Sequence, residues 1–315
     1  MDIMRLFRAV FILFCLMIPG FILKKLKLAD NKTPLGFTNT ILYITQPALL
    51  FVGFFRPYDK NIMSGAIAVF VFTFLVHAMF LLTVKLFFKN APKETAKVYR
   101  FGSVFANAGY MGIPLITMTF GPEAAIYASV YTIGFNFFAW SFGYLIYSED
   151  KSYISFKKMF INAATVPTIL GVVVFVTNLY SYIPETAAGV VSDVLTMLKD
   201  TVAPMSMMVI GMRLADLKLK GAFKDVYLYV GLSLRLIIFP AMVFCVLLLC
   251  KTLGFYNEIA FAVTLICAAT PAATATGMFA EKFSSDSVTA SKFVSISTIL
   301  SLATMPLMVM LLKLL

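Results

Sequence analysis

Asn107-Ala108-Gly109-Tyr110-Met111-Gly112-Ile113-Pro114 sits inside an apolar stretch, 101–121, about as long as a bilayer is thick. Two glycines and a proline within six residues weaken a helix. Glycine loses more chain entropy on ordering, and proline lacks the amide hydrogen and clashes with the preceding turn. The stretch therefore reads as a broken transmembrane helix, with Asn107 adding an uncharged amide in an apolar setting. A break frees backbone N–H and C=O groups that lipid cannot satisfy, so they must face protein or a wet cavity. Ala268-Ala269-Thr270-Pro271-Ala272-Ala273-Thr274 gives a second break inside the apolar run 257–280. The N-terminal end of a half-helix carries about half a positive charge, and two such ends meeting at mid-membrane would attract a carboxylate. Candidate substrate residues are Asn107, Gly109, Tyr110, Pro114 and Thr117 in the first stretch and Thr270, Pro271 and Thr274 in the second. Gln46 and Asn136 are added to them.

The rest of the chain is consistent with a membrane setting. It has 315 residues, 61% hydrophobic and 13% charged, whereas a soluble domain carries roughly 25% charged residues. Apolar runs suggest ten spans: 3–23, 36–55, 62–84, 101–121, 123–147, 159–181, 188–212, 225–250, 257–280 and 288–312. The expected fold is an all-α polytopic membrane protein with broken fourth and ninth helices and no large soluble domain. Arg5 and Arg8 precede the first apolar run, but it ends at Lys24, Lys25 and Lys27 without a small-residue cleavage pattern, so it reads as a retained span. Cys15, Cys245, Cys250 and Cys267 lie in apolar runs without zinc spacing. No metal or other cofactor is expected.

Of the 26 Lys and Arg residues, eighteen fall in the loops after odd-numbered spans and six on the other side. The positive-inside rule then puts both termini outside a cell membrane crossed many times. The net charge of +11 follows from that topology, and no nucleic-acid partner is expected.

The two halves match in outline. Thr45-Gln46-Pro47 opens an apolar run ending at Gly53, and Val202-Ala203-Pro204 opens one ending at Gly211. Pro-x-x-Thr-x-Thr occurs as Pro114, Thr117, Thr119 and again as Pro271, Thr274, Thr276. The polar segment 148–158 joins the halves, giving units 1–150 and 151–315. Five spans per half make the second half enter from the opposite side, an inverted repeat of the kind found in secondary transporters.

Ionisable groups at membrane depth are costly and are functional candidates by default. His77, Lys199, Asp200 and Arg235 lie within spans. Asp200 or His77 is expected to carry a coupled proton, and Arg235 or Lys199 to help neutralise an anion; static ion pairs or snorkelling basic chains are the competing reading. Neighbouring positions on a helix do not face each other, so Lys199 and Asp200 are expected to need separate partners. The coupling ion, proton or sodium, is left open. A channel would want a filter sequence or pore-lining rings, and an intramembrane enzyme paired aspartates or a serine with a base. Neither pattern occurs, so no enzymatic activity is expected. An anion channel or a receptor without transport is the alternative to a carrier.

The segment 107–115, Asn-Ala-Gly-Tyr-Met-Gly-Ile-Pro-Leu, resembles the fourth-span motif of the auxin efflux carrier family, which includes plant auxin exporters and bacterial carriers for malate or malonate. Thr270-Pro271-Ala272-Ala273 with Phe279-Ala280-Glu281, Pro47-Ala48-Leu49-Leu50-Phe51, and 162–171 with Pro167 are similar to other parts of it. The resemblance implies ten spans in two inverted five-helix repeats with both termini outside. Spans 1, 2, 6 and 7 would form a scaffold. Spans 3–5 and 8–10 would form a moving unit, with the fourth and ninth crossing at the substrate site. It implies alternating-access transport of a small organic anion such as malate, malonate or an auxin-like acid, with Asn107 where the plant members bind the carboxylate. It also implies homodimers through the scaffold, as in the plant relatives. Ala106 replaces the plant proline, and a connection of about ten residues replaces the long plant loop, so phosphorylation control of that loop is not expected.

Overall fold

The computed structural model describes residues 3–150, 161–217 and 222–315. Leaving short turns aside, the helices in chain order are α1 (Met4–Lys25), α2 (Thr33–Val52), α3 (Lys60–Val84), α4 (Lys93–Val104), α5 (Ala108–Phe120), α6 (125–148), α7 (Thr165–Val176), α8 (Glu185–Ala215), α9 (Val226–Thr252), α10 (Glu258–Ala269), α11 (Ala275–Lys282) and α12 (Ser287–Leu314). Among the described residues no strand forms, and a single extended bridge joins Ala106 to Ala272. Six helices, α1, α2, α3, α8, α9 and α12, are long and apolar enough to cross a membrane; α5, α7 and α10 are shorter apolar helices.

Helix ends follow local chemistry. Asp59, Asp225, Asn257 and Asp286 cap α3, α9, α10 and α12 by accepting from first-turn amides, each cap contributing about 1 kcal/mol. Gly121, at φ +92°, supplies the left-handed residue that lets α5 turn into α6. Outward faces are apolar: Phe11, Ile18 and Ile22 on α1 and Val190, Val194 and Met197 on α8 are exposed, as lipid contact requires.

The tightest helix pair is α1 with α8. A Cβ on Gly20 would fall on the Met208 carbonyl, and one on Gly211 on the Met17 carbonyl. The two backbones touch reciprocally, which is how small residues drive helix association where no water-exclusion force separates helices from lipid.

Several expectations are corrected. The fourth apolar stretch does not begin at 101: α4 starts at Lys93, and the unwound residues are Phe105, Ala106 and Asn107. Gly109 and Gly112 are not unwound but lie in a wide π turn, 108–112, with Pro114 in the first turn of the α-helix that follows, where its missing N–H costs nothing. Pro271 lies inside its break. Pro114 and Pro271 therefore do not occupy matching places, because the crossing pairs 105–107 with 271–273. Within the described part of the segment 159–181, residues 161–164 are not helical and the α-helix begins at Thr165, and most of the 148–158 connection lies outside the described residues.

Gly211→Ala is expected to force α1 and α8 apart and cost about 1–3 kcal/mol or more, read as a lowered melting temperature in detergent. A melting temperature equal to wild type would show that the close backbone contact is absent.

Candidate functional site

The two breaks satisfy each other. Asn107 N–H donates to the Pro271 carbonyl at 2.8 Å, and Ala273 N–H donates to the Phe105 carbonyl at 2.8 Å. This two-bond bridge is centred on Ala106 and Ala272, both almost fully buried, where small side chains let the strands approach. Ala272 N–H donates to Ser297 Oγ of α12 at 3.2 Å. Pro114 leaves the Tyr110 carbonyl without its helical donor, and the Ser206 hydroxyl of α8 donates to it at 3.1 Å.

Four helix ends meet at this crossing. The C-terminal ends of α4 and α10 carry partial negative charge, and fully buried Arg235 answers them. Its Nη1 donates to the Ser103 and Val104 carbonyls, both at 3.0 Å, and its Nη2 to the Ala268 carbonyl. The guanidinium lies over Phe80, 5.7 Å from the ring centre. Among the described residues it makes no ion pair, so two helix ends take the place of a carboxylate. Arg235 sits in a π turn, 234–238, an insertion that swings one side chain out of the regular ladder.

The N-terminal ends of α5 and α11 face a cavity instead. Among the described residues the N–H groups of Ala108, Gly109 and Tyr110 have no backbone acceptor. Asn107 is 4% exposed, and its Nδ2 has no partner. Gln46 Oε1 is buried and unpartnered as well. These groups open on a cavity of about 500 Å³ that also reaches Asn136, Thr132 and Thr274. It extends from the crossing toward Tyr144, Asn162 and Lys282. Near that end Lys282 donates to the Tyr144 hydroxyl and lies over the Tyr144 and Trp140 rings, at 4.8 and 6.0 Å. No Asp or Glu is among the lining residues. Donors, helix N-termini and one cation without a competing carboxylate make a setting that favours an anion.

The sequence candidates fall in several places. Gly109 and Tyr110 line the main cavity with Gln46, Asn107, Asn136 and Thr274. Thr270 and Pro271 lie within the crossing and do not line the main cavity: Thr270 turns its hydroxyl to the Cys267 carbonyl at 2.8 Å, and the Pro271 carbonyl takes the Asn107 amide. Pro114 and Thr117 line a second cavity, about 340 Å³, beyond the crossing, together with Lys199 and Asp200. Those two residues pair with each other, Nζ to Oδ1 at 3.5 Å, against the expectation of separate partners. The helical ladder is interrupted at Thr201, and the long lysine chain bends back to its neighbour. His77 lines neither the main cavity nor the one at Lys199. It is fully buried, Nδ1 lies 2.8 Å from the Thr73 carbonyl, and its ring stacks on Phe138 at 5.4 Å.

Lys282, Trp140 and Tyr144 were not among the sequence candidates. Lys282 reads as an ordinary loop lysine, and only the fold turns it over an aromatic pair. Arg213 was likewise counted with a loop, although it lies on α8.

The family model described as membrane transport protein matches residues 5–160 and 152–309. A relative described as an uncharacterized transporter, from Methanothermobacter thermautotrophicus, is 24% identical over 297 residues, spanning 93% of this chain and 93% of its own length.

Arg235→Met is expected to strand three carbonyls and two helix ends, destabilising the protein by about 3–5 kcal/mol, while Arg235→Lys recovers part of the loss. Melting curves in detergent decide the matter; a methionine variant as stable as wild type would remove Arg235 from the crossing.

Proposed function

The chain belongs to the membrane transport protein family, the auxin efflux carrier family of the sequence resemblance, and from that premise we propose that it is a secondary active transporter of a small organic anion, working by alternating access. The observation that carries this reading is the cavity of about 500 Å³ at the crossing, where unpartnered donors meet two helix N-termini and no carboxylate. A carboxylate such as malate, malonate or an auxin-like acid finds there the Asn107 amide, the first-turn N–H groups of α5 and, farther out, Lys282. Gln46 and Asn136 supply further amides to the polar part of the molecule.

The proposed architecture is ten passes in two inverted five-helix repeats, 1–150 and 151–315. α4 with α5, and α10 with α11, each count as one interrupted pass, crossing as the fourth and ninth. α1, α2, α7 and α8 would form the scaffold, and the other helices the moving unit. The glycine-to-carbonyl contact of α1 with α8 supports a stiff scaffold. The main cavity draws Gln46 and Asn162 from one group and Asn107, Asn136 and Lys282 from the other, so a shift of one group against the other would reshape it. The second cavity, holding Thr117 and the Lys199–Asp200 pair, would be the far end of the route. On the positive-inside reading, the main cavity's mouth would face the cytoplasmic side of a cell membrane. A homodimer through the scaffold remains part of the proposal by resemblance.

For coupling, Asp200 is better placed than His77, because it borders a cavity and His77 is sealed among aromatic rings. Arg235 is committed to backbone carbonyls, so anion neutralisation falls to Lys282 and the helix ends, with Lys199 on the far side.

In proteoliposomes Asn107→Ala is expected to reduce malate or malonate uptake about tenfold or more, the value of a hydrogen bond to a charged group, with little change in melting temperature. Uptake equal to wild type would refute the site. Asp200→Asn is expected to flatten the response of uptake to an imposed pH gradient; an undiminished response would exclude Asp200 as proton carrier.

A further inference from the structure

Two arginines stand at matching places in the two halves but differ in their partners. Arg56 lies nine residues after Pro47, and Arg213 nine residues after Pro204. Each marks the end of a long helix, Arg56 just beyond α2 and Arg213 in the last turn of α8. A glutamate stands near the end of the second half of each broken pass: Glu123 in the turn after α5, and Glu281 next to last in α11. Arg56 is paired, its Nη2 donating to Glu123 Oε1 at 2.9 Å. Arg213 is half-buried and its Nε has no partner. Among the described residues neither Arg213 nor Glu281 makes an ion pair.

The unpaired couple is set to close. Arg213 Nη1 would lie 3.9 Å from a Cβ on Gly277, and Glu281 follows one turn later on the same face of α11. Both side chains line a cavity of about 70 Å³ between α8, α11 and α12. A slide of α11 along α8 by about one helical turn or less would bring carboxylate to guanidinium. Asp216, another acid at this end of α8, is taken by Lys24 at 3.3 Å. At the Arg56 end the fit is already tight. A Cβ on Gly53 would lie 3.2 Å from Ile126 Cγ1, so the end of α2 rests on the start of α6 beside the Arg56–Glu123 pair. The two couples lie at opposite ends of α6. It starts beside Glu123 and carries Tyr144, which bonds Lys282, near its other end. At 1.5 Å per residue the separation is roughly 30 Å, the thickness of a bilayer core.

We propose that Arg56–Glu123 and Arg213–Glu281 are alternating ionic latches, one at each end of the transport route, closed in opposite states. The proposal rests on the alternating-access reading and adds the contacts that hold each state. Each latch ties a helix of the scaffold, α2 or α8, to the second half of a broken pass in the moving unit, α5 or α11. Here the far latch is closed and the latch at the main cavity's end is open, the combination that a state open on that side requires. Movement of the unit would draw Glu123 away from Arg56 and carry Glu281 onto Arg213. The Arg56 and Glu123 side chains are 31% and 66% exposed, and exposed pairs are weak. A weak latch suits a carrier, because it biases two states without trapping either.

The test uses full-length protein in proteoliposomes, carrying Arg213→Cys and Glu281→Cys with Cys15, Cys245 and Cys250 replaced by alanine. The rate of oxidative cross-linking between the two new thiols reports how often α8 and α11 close. Adding Glu123→Gln, which releases the far latch, is expected to raise that rate about two- to fivefold, the population shift that an exposed ion pair supplies. Arg56→Glu, which sets like charges against each other, should raise it at least as much. The reversed pair, Arg56→Glu with Glu123→Arg, should bring it back to the starting value, a rescue that a packing role for either side chain would not give. A rate unmoved by Glu123→Gln, or a reversed pair as fast as Arg56→Glu alone, would overturn the latches. Cross-linking needs no substrate, so failure of the carrier reading would show separately, as unmodified protein that takes up neither malate nor malonate.

Discussion

A chain interrupted in the middle of a membrane has to find partners for the backbone groups it frees, because hydrocarbon offers none. Here the two interruptions are placed so that each answers the other. Phe105 and Asn107 exchange bonds with Ala273 and Pro271, and Ser297 and Ser206 take up further loose ends from neighbouring helices. What this exchange cannot reach is the set of N–H groups at the start of α5, and those lie along the main cavity. The anion-favouring site is thus the unsettled part of a structural problem that is otherwise solved internally.

Charge follows the same division. A helix end carries about half an elementary charge, so the crossing collects two negative and two positive ends within a few residues. Arg235 sits against the negative pair, held by three carbonyls, and the cation lining the main cavity, Lys282, lies toward its far end. π turns recur at this boundary: 41–45 leads into Gln46, 108–112 follows Asn107, 139–143 contains Trp140 and 234–238 contains Arg235. Each adds a residue to a turn and redirects a side chain that a regular ladder would point elsewhere.

The membrane character and the existence of two breaks were legible in the sequence, since both rest on composition and on glycine and proline. The position of the first break was not. Glycines and Pro114 mark where a helix is weak, but the chain unwinds at Phe105–Asn107, three residues earlier, because that is where the partner segment lies. The same tertiary choice undid the match of Pro114 with Pro271. Lys199 and Asp200 pair because the ladder is interrupted at Thr201, which a regular helix does not foretell, and Arg213 and Lys282, which read as loop charges, lie on helices. Charges near span ends are ambiguous in sequence: only packing decides whether a basic chain reaches outward to water or turns inward to a cavity.

α11 carries much of the consequence of that packing. It has eight residues, begins at the crossing and separates the main cavity from a small one, about 70 Å³, lined by Arg213, Gly277 and Glu281. Met278 and Lys282 lie on one side of it, Gly277 and Glu281 on the other, and Thr274 at its head lines both. A helix this short has little stability of its own, so its position is set by what it packs against: α12 behind it, aromatic rings from α4 and α6 around Phe279, and Arg213 across Gly277. On the proposed mechanism the crossing bonds would travel as a unit, since breaking them at mid-membrane would strand four backbone groups. Movement is then cheapest at surfaces already wet or loosely filled, which are the two faces of α11 and the far cavity at Lys199 and Asp200.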